Sequence, residues 1–193
     1  MPRTKAVHAA ADATQARSRI LKAARKVFAE RGYDDASTRL IAEAADVPTG
    51  LVFYYFKNKE QLLEATLGED TIIEALGQAF REFGGTGDPI TELTNVNIAL
   101  YEWLDNNREL AHILFREITS HRPIAKRVRA LRARSLGSIE AYLTEHIAAG
   151  RLRPLNAAVA AQVLASSVML AVIVDRPADP AVYVAELVAL LLA

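Results

Sequence analysis

An all-α fold of about nine helices is what this sequence predicts, and three observations carry the prediction. Apolar residues recur at helical spacing through most of the chain. No stretch alternates with the two-residue period of a half-buried strand, and no internal repeat is present. Half of the residues are hydrophobic (51%), with only 9 glycines and 7 prolines. Those breakers gather at GGTGDP (84–89), Arg122-Pro123, Gly150–Pro154 and Arg176–Pro180, with Asn106-Asn107 as a further interruption. At 193 residues the chain fits one large domain or a small domain plus a medium one, and it is long enough to bury a core.

Residues 1–13 lack periodicity and read as a flexible basic arm, with Arg3 and Lys5 either solvated or available to a nucleic-acid groove. A first helix over about 14–32 carries Ile20, Leu21, Ala24, Val27 and Phe28 at core spacing, and Gly32 suits the position just past its end. Ser37 is placed to cap a second helix, whose apolar residues are Leu40, Ile41, Ala44 and Ala45. Asp46 tolerates the positive φ of a sharp turn, and Pro48 cannot continue the preceding helix, so a third helix begins at Pro48 or Thr49. Val47 and Val52 face the core by default, as do Tyr54 and Phe56. One long helix is expected from about 58 to 83, followed by helices at about 90–106, 108–120, 124–149, 156–174 and 179–192. The domains are then 14–60 and 61–193.

Two short helices joined by a tight turn, closely crossed through small alanines, form a helix-turn-helix, whose second helix lies in the major groove of DNA. The charge distribution agrees. The whole chain is neutral, but residues 1–63 hold eleven Lys/Arg against seven acids, leaving +4 there and −4 in the remainder. Thr38 and Arg39 stand at the start of the second helix, where backbone N–H groups and side chains meet phosphate. On the third helix Thr49, Gly50 and Phe53 are expected to face outward: Thr49 toward a base or phosphate, Gly50 letting the helix sit deep, Phe53 toward a thymine methyl. Leu51 either faces the groove or supports the turn.

From about Arg17 to Leu63 the chain resembles the N-terminal domain of TetR-family transcriptional regulators. The resemblance rests on Ile20-Leu21, Ala24, Phe28, Arg31-Gly32-Tyr33, Ser37-Thr38, Ile41-Ala42, Ala45-Asp46-Val47, Gly50, Tyr54 to Lys59 and Leu62-Leu63. The pattern departs at Asp46, Pro48, Leu51, Phe53 and Tyr55, where the family commonly has Gly, Ser, a small hydroxyl residue, Tyr and His. Leu51 and Phe53 each remove a polar contact, so the base code departs from the common one. The resemblance implies phosphate contacts from Tyr55 and Lys59, a lever role for the long helix, and a homodimer that binds a pseudo-palindromic double-stranded DNA operator.

The second domain offers less. Residues 157–174 are apolar almost all round, which fits a buried core or interface helix; the serines and alanines argue against a membrane span. The last two helices, about 156–192, are expected to pair with their copies, as the resemblance also implies. Large or polar groups on otherwise apolar helices, Tyr101, Trp103, His112, Phe115, Arg116, Tyr142 and Met169, are candidates for the pocket of a small-molecule inducer that the family keeps in this domain. Trp103, Phe115 and Met169, each taken alone, read first as plain core. Lys126, Arg127, Arg129, Arg132 and Arg134 lack nearby acids and are either solvated surface or a clamp on an acidic ligand. His112, Glu117 and His121 match no metal-ligand spacing, so no metal or cofactor is expected. Four scattered histidines, no cysteine and no G-x-S-x-G argue against an enzyme. The first residues contain no apolar leader, which fits a cytoplasmic protein. The expected function is a ligand-released repressor, with a ligand-independent architectural or occlusion protein of the same fold as the alternative.

Overall fold

The computed structural model of the chain describes residues 3–68, 71–85, 87–120 and 123–192, with side chains from Thr14 onward except Thr71. The described residues form ten α-helices and no strand. Helix α1 (Arg3–Asp35) reaches back into the segment expected as an arm, where the alanine-rich run AVHAAADATQA favours helix. Its helical path is interrupted at Gly32 (φ 77, ψ 176). A Cβ at Gly32 would lie 2.7 Å from Arg116 Nη1, so both the positive φ and the close approach call for glycine.

Helix α2 (Thr38–Ala45) starts where Ser37 Oγ accepts the Leu40 N–H at 3.1 Å and ends at Asp46, in the left-handed region at φ 52. Helix α3 (Thr49–Tyr55) follows directly after Pro48. Helix α4 (Lys59–Leu67) is capped by Asn58, whose Oδ1 accepts the Gln61 N–H at 2.8 Å while Gln61 Oε1 accepts the Lys57 N–H at 2.7 Å.

The single helix expected over 58–83 is in fact two. Helix α4 stops at Gly68 (φ 68), and α5 runs Thr71–Phe83. Two things hold the break: Gly68 adopts a conformation closed to most residues, and its carbonyl accepts a hydrogen bond from the distant Arg127 Nη2 at 2.9 Å. Helices α6 (Pro89–Asn106), α7 (Arg108–Glu117), α8 (Pro123–Ala148) and α9 (Ala157–Leu170) complete the body, with α9 prolonged by a wide π turn (Ala171–Asp175) before α10 (Pro180–Leu192).

Burial divides into two cores. One gathers Ile20, Phe28, Ile41, Ala42, Val52, Phe56 and Leu62 with Leu110, Leu114, Val128 and Leu131. The helix-turn-helix unit therefore shares its core with α7 and the first half of α8. The other core packs Leu76, Leu93, Leu100, Ile139, Leu143, Leu164, Val168, Val184 and Val188 among α5, α6, α8, α9 and α10. Each fully buried Leu or Ile contributes about 1.5–3 kcal/mol of transfer free energy. Ala44, expected in the core, is exposed; Ala42 takes the buried place beside Ile41 and Ala45. Helix α9 with its π turn is, among the described residues, the one helix long and apolar enough to cross a membrane by length and composition, and only 33% of that window is buried within the chain. Val159, Leu170 and Val174 on it, and Val182 and Leu190 on α10, remain exposed.

Candidate nucleic-acid interface and effector cavity

The turn between α2 and α3 is held from outside by α1. Arg19 Nε and Nη2 donate to the Ala45 carbonyl at 3.1 and 2.8 Å, and Nη2 also donates to the Asp46 carbonyl. These bonds occupy carbonyls that the end of α2 leaves unpaired and fix the angle at which α3 leaves the turn.

On α3, Thr49, Gly50, Phe53 and Tyr54 fall at i, i+1, i+4 and i+5 and share one face. Gly50 is exposed with nothing within 4 Å of where a Cβ would stand. Phe53 is 51% exposed and Tyr54 78%. Tyr54 corrects the expectation that it is core, since its ring stands edge-on to Tyr55 at 5.0 Å and otherwise faces solvent. The angular position five residues after Thr49 was the signal that places it outward. Leu51 and Tyr55 lie on the other side, half-buried against the first core, so Leu51 supports the fold of the turn and Tyr55 packs inward. Val52 is buried beneath them. Thr38 is half-buried, and Arg39 is exposed, 3.6 Å from Glu43 in a surface pair of little energetic weight.

Lys59 is engaged within the chain. Its ammonium donates to the carbonyls of Tyr33 (2.7 Å), Ala36 (2.8 Å) and Asp34 (3.3 Å) and lies 4.3 Å from the Tyr33 ring centroid. An ammonium has three protons, and three carbonyls take them. The side chain expected at phosphate thus ties the start of α4 to the loop that ends α1. Lys57, two residues earlier, is exposed.

In the C-terminal helices a half-open cavity of about 400 Å³ lies between α5, α6, α7, α8 and α9. Its walls are Leu76, Leu104, Leu131, Ile139, Met169 and other apolar side chains, with Thr119, Arg132, Ser135 and Ser166 as the polar lining groups. Of the seven side chains expected at a pocket, Phe115 and Met169 line this cavity. The other five lie elsewhere. Trp103 borders a smaller polar cleft with Arg25, Glu74 and Asn107. Arg116 Nη1 donates to the Phe28 carbonyl at 3.4 Å. Tyr142 donates a short hydrogen bond to Glu92 Oε2, and burial together with that bond pushes its phenol pKa up. Burial raises Tyr101, and Asp105 adds to it. Burial lowers His112, with Arg108 and Arg116 pressing the same way. Large side chains stood out in the sequence because of their chemistry, whereas the cavity is lined by ordinary leucines and isoleucines that no local signal marks. Among the described residues no group of three His, Cys, Asp or Glu side chains stands close enough to hold a metal; His121 lies outside them.

Residues 20–66 match the profile of the bacterial regulatory proteins of the tetR family. Residues 20–66 thus form a domain of the TetR-family type. Its relatives are transcriptional regulators rather than enzymes. An uncharacterised HTH-type transcriptional regulator of Bacillus subtilis, YvkB, is 33% identical over 99 residues, covering 51% of this chain and 50% of that one. The chain thus spans about half the length of that relative. A regulatory protein of the tetR family from Rhodococcus RHA1 superposes with a TM-score of 0.77 at 26% identity, over 91% of this chain and 94% of that one. The transcriptional regulator FadR from Bacillus subtilis, in complex with stearoyl-CoA, superposes at 0.74 and 22% identity over 91% and 97%, and shows the same fold. The face of Thr49, Gly50, Phe53 and Tyr54 lies within this matched domain.

Proposed function

We propose that the chain is a homodimeric repressor that binds a pseudo-palindromic operator through α3 of each subunit and leaves it when a small molecule enters the cavity. The observation that carries this reading is the double duty of α8. Val128, Leu131, Arg132 and Ser135 line the cavity, and five residues before Arg132 the side chain of Arg127 holds the Gly68 carbonyl at the α4–α5 break. Val128 and Leu131 also belong to the core that supports α2 and α3. A ligand that displaces α8 therefore acts on the joint and on the base of the DNA-binding motif together. It releases DNA to the extent that it binds the released arrangement more tightly. The dimer would form through the exposed apolar faces of α9 and α10, burying Val159, Val174, Val182 and Leu190. Such a regulator works in the cytoplasm, where the DNA is. The FadR neighbour of the same fold forms a complex with stearoyl-CoA, which supports a ligand-binding reading. An architectural role without effector fits less well, because the second domain keeps a cavity of about 400 Å³ rather than a collapsed core.

Selection from a random DNA pool at two salt concentrations tests the proposal. Enrichment of an inverted repeat whose affinity falls steeply with salt supports it; salt-sensitive binding with no enriched sequence points to the architectural role, and no binding at low salt sinks both.

A further inference from the structure

The cavity also defines the chemistry of what fills it. Its walls are aliphatic and aromatic from Ile72 and Leu76 through Leu100, Leu104 and Ile139 to Met169, and a single charged side chain, Arg132, lines it. Arg132 is half-buried, on the same stripe of α8 as Val128, Ser135, Leu136 and Ile139. Among the described residues it has no ion-pair or hydrogen-bond partner, unlike Arg127, which holds the Gly68 carbonyl, and Arg129, which reaches the Ile118 carbonyl at 3.3 Å. A guanidinium is always charged, so at the lining of an apolar cavity it favours an anionic partner. Ser135, Ser166 and Thr119 supply hydroxyls on the same lining. Solvent reaches the cavity beside Phe115 (49% exposed), Leu170 (39%) and the exposed Thr119.

We propose that the effector is an acyl chain carrying an anionic head: the chain occupies the apolar interior and the head pairs with Arg132. This rests on the ligand-binding reading above and narrows it to one chemical class. A fatty carboxylate and an acyl thioester with a phosphorylated carrier share that chemistry. A cationic amphiphile of equal length is disfavoured, because it sets a second positive charge against Arg132. A sugar or nucleoside is disfavoured because most of the lining is apolar and its few hydroxyls and one guanidinium cannot pair all of such a ligand's polar groups.

The test is calorimetric titration of the full-length protein, without DNA, with decanoate, decanoyl-CoA, 1-decanol and decyltrimethylammonium below their micellar concentrations. One or both of the anionic probes should bind at least tenfold more tightly than decanol and decyltrimethylammonium, and which of the two does so distinguishes the free acid from the thioester. Lengthening the bound probe from eight to ten carbons should tighten it about fourfold per methylene until the cavity is full. Arg132→Ala should erase the preference for the anionic head while decanol binding stays unchanged, and Arg132→Lys should keep part of it. Because Arg132 is half-exposed, the decanol control also reports that the variant folds. Equal binding of anionic and cationic chains, an unchanged preference in Arg132→Ala, or no binding of any probe would each overturn the proposal. Operator binding is measured separately, so the repressor reading stands or falls on its own result.

Discussion

Replacing Lys59 by Ala separates two roles that the sequence alone merges. The ammonium is surrounded by the carbonyls of Tyr33, Asp34 and Ala36 and by the Tyr33 ring. A hydrogen bond from a charged donor is worth about 1.5–3 kcal/mol when its partner is left bare, but these carbonyls border solvent and rehydrate in part. The ring contact adds roughly 0.5–1 kcal/mol. Two strong bonds, one long one and the ring give a net loss of about 3 kcal/mol, discounted for rehydration. For a chain of this size that lowers Tm by roughly 6–12 °C. The assay pairs thermal unfolding with operator affinity across a salt series. Because the charge is already occupied, the variant should bind DNA more weakly while the slope of log K against log salt stays within a few tenths of wild type. A phosphate-bound lysine gives the opposite pattern. Its loss lowers the slope by about 0.9 with stability nearly unchanged, and that result refutes the reasoning.

Other outcomes follow from the same geometry. Gly50→Ala has open space for its methyl, so stability should hold or rise by up to ~1 kcal/mol while operator affinity falls, read by denaturation and anisotropy. Arg127→Ala frees the Gly68 carbonyl; effector affinity in calorimetry should change little, but the effector concentration that releases DNA should rise several-fold. His112 has a pKa held below its ordinary 6.5, so the unfolded chain takes up its proton first. Stability from this group is present above pH 6.5 and is lost as pH falls below it, and His112→Gln should flatten that part of the pH profile in urea titrations. Leu190→Asp, at a position 81% exposed on α10, should leave the folded chain intact but shift sedimentation toward monomer.

The legible parts of this fold were those whose cause is local. The Ser37 cap, the left-handed Asp46, the start at Thr49 and the interruption at Gly32 each follow from one residue's backbone or side-chain chemistry. The break at Gly68 was hidden because a helix-period trace continues across it, and the Arg127 bond that stabilises it comes from 59 residues away. The outward face of α3 was half legible: Thr49, Gly50 and Phe53 were placed by angle, but Tyr54 and Tyr55 exchange sides, because two adjacent tyrosines look alike until the core beneath is known. The cavity was least legible. It is a space between five helices, bounded mostly by side chains whose type is that of any core, and only Arg132 among them carries a charge.

Cross-linking of the selected operator duplex to the intact protein, mapped residue by residue, tests the central claim most directly. The account predicts cross-links concentrated at Phe53, Tyr54 and the neighbouring Lys57, and none at Leu51 or on α10. Cross-links that avoid α3 and gather on the C-terminal helices would contradict it.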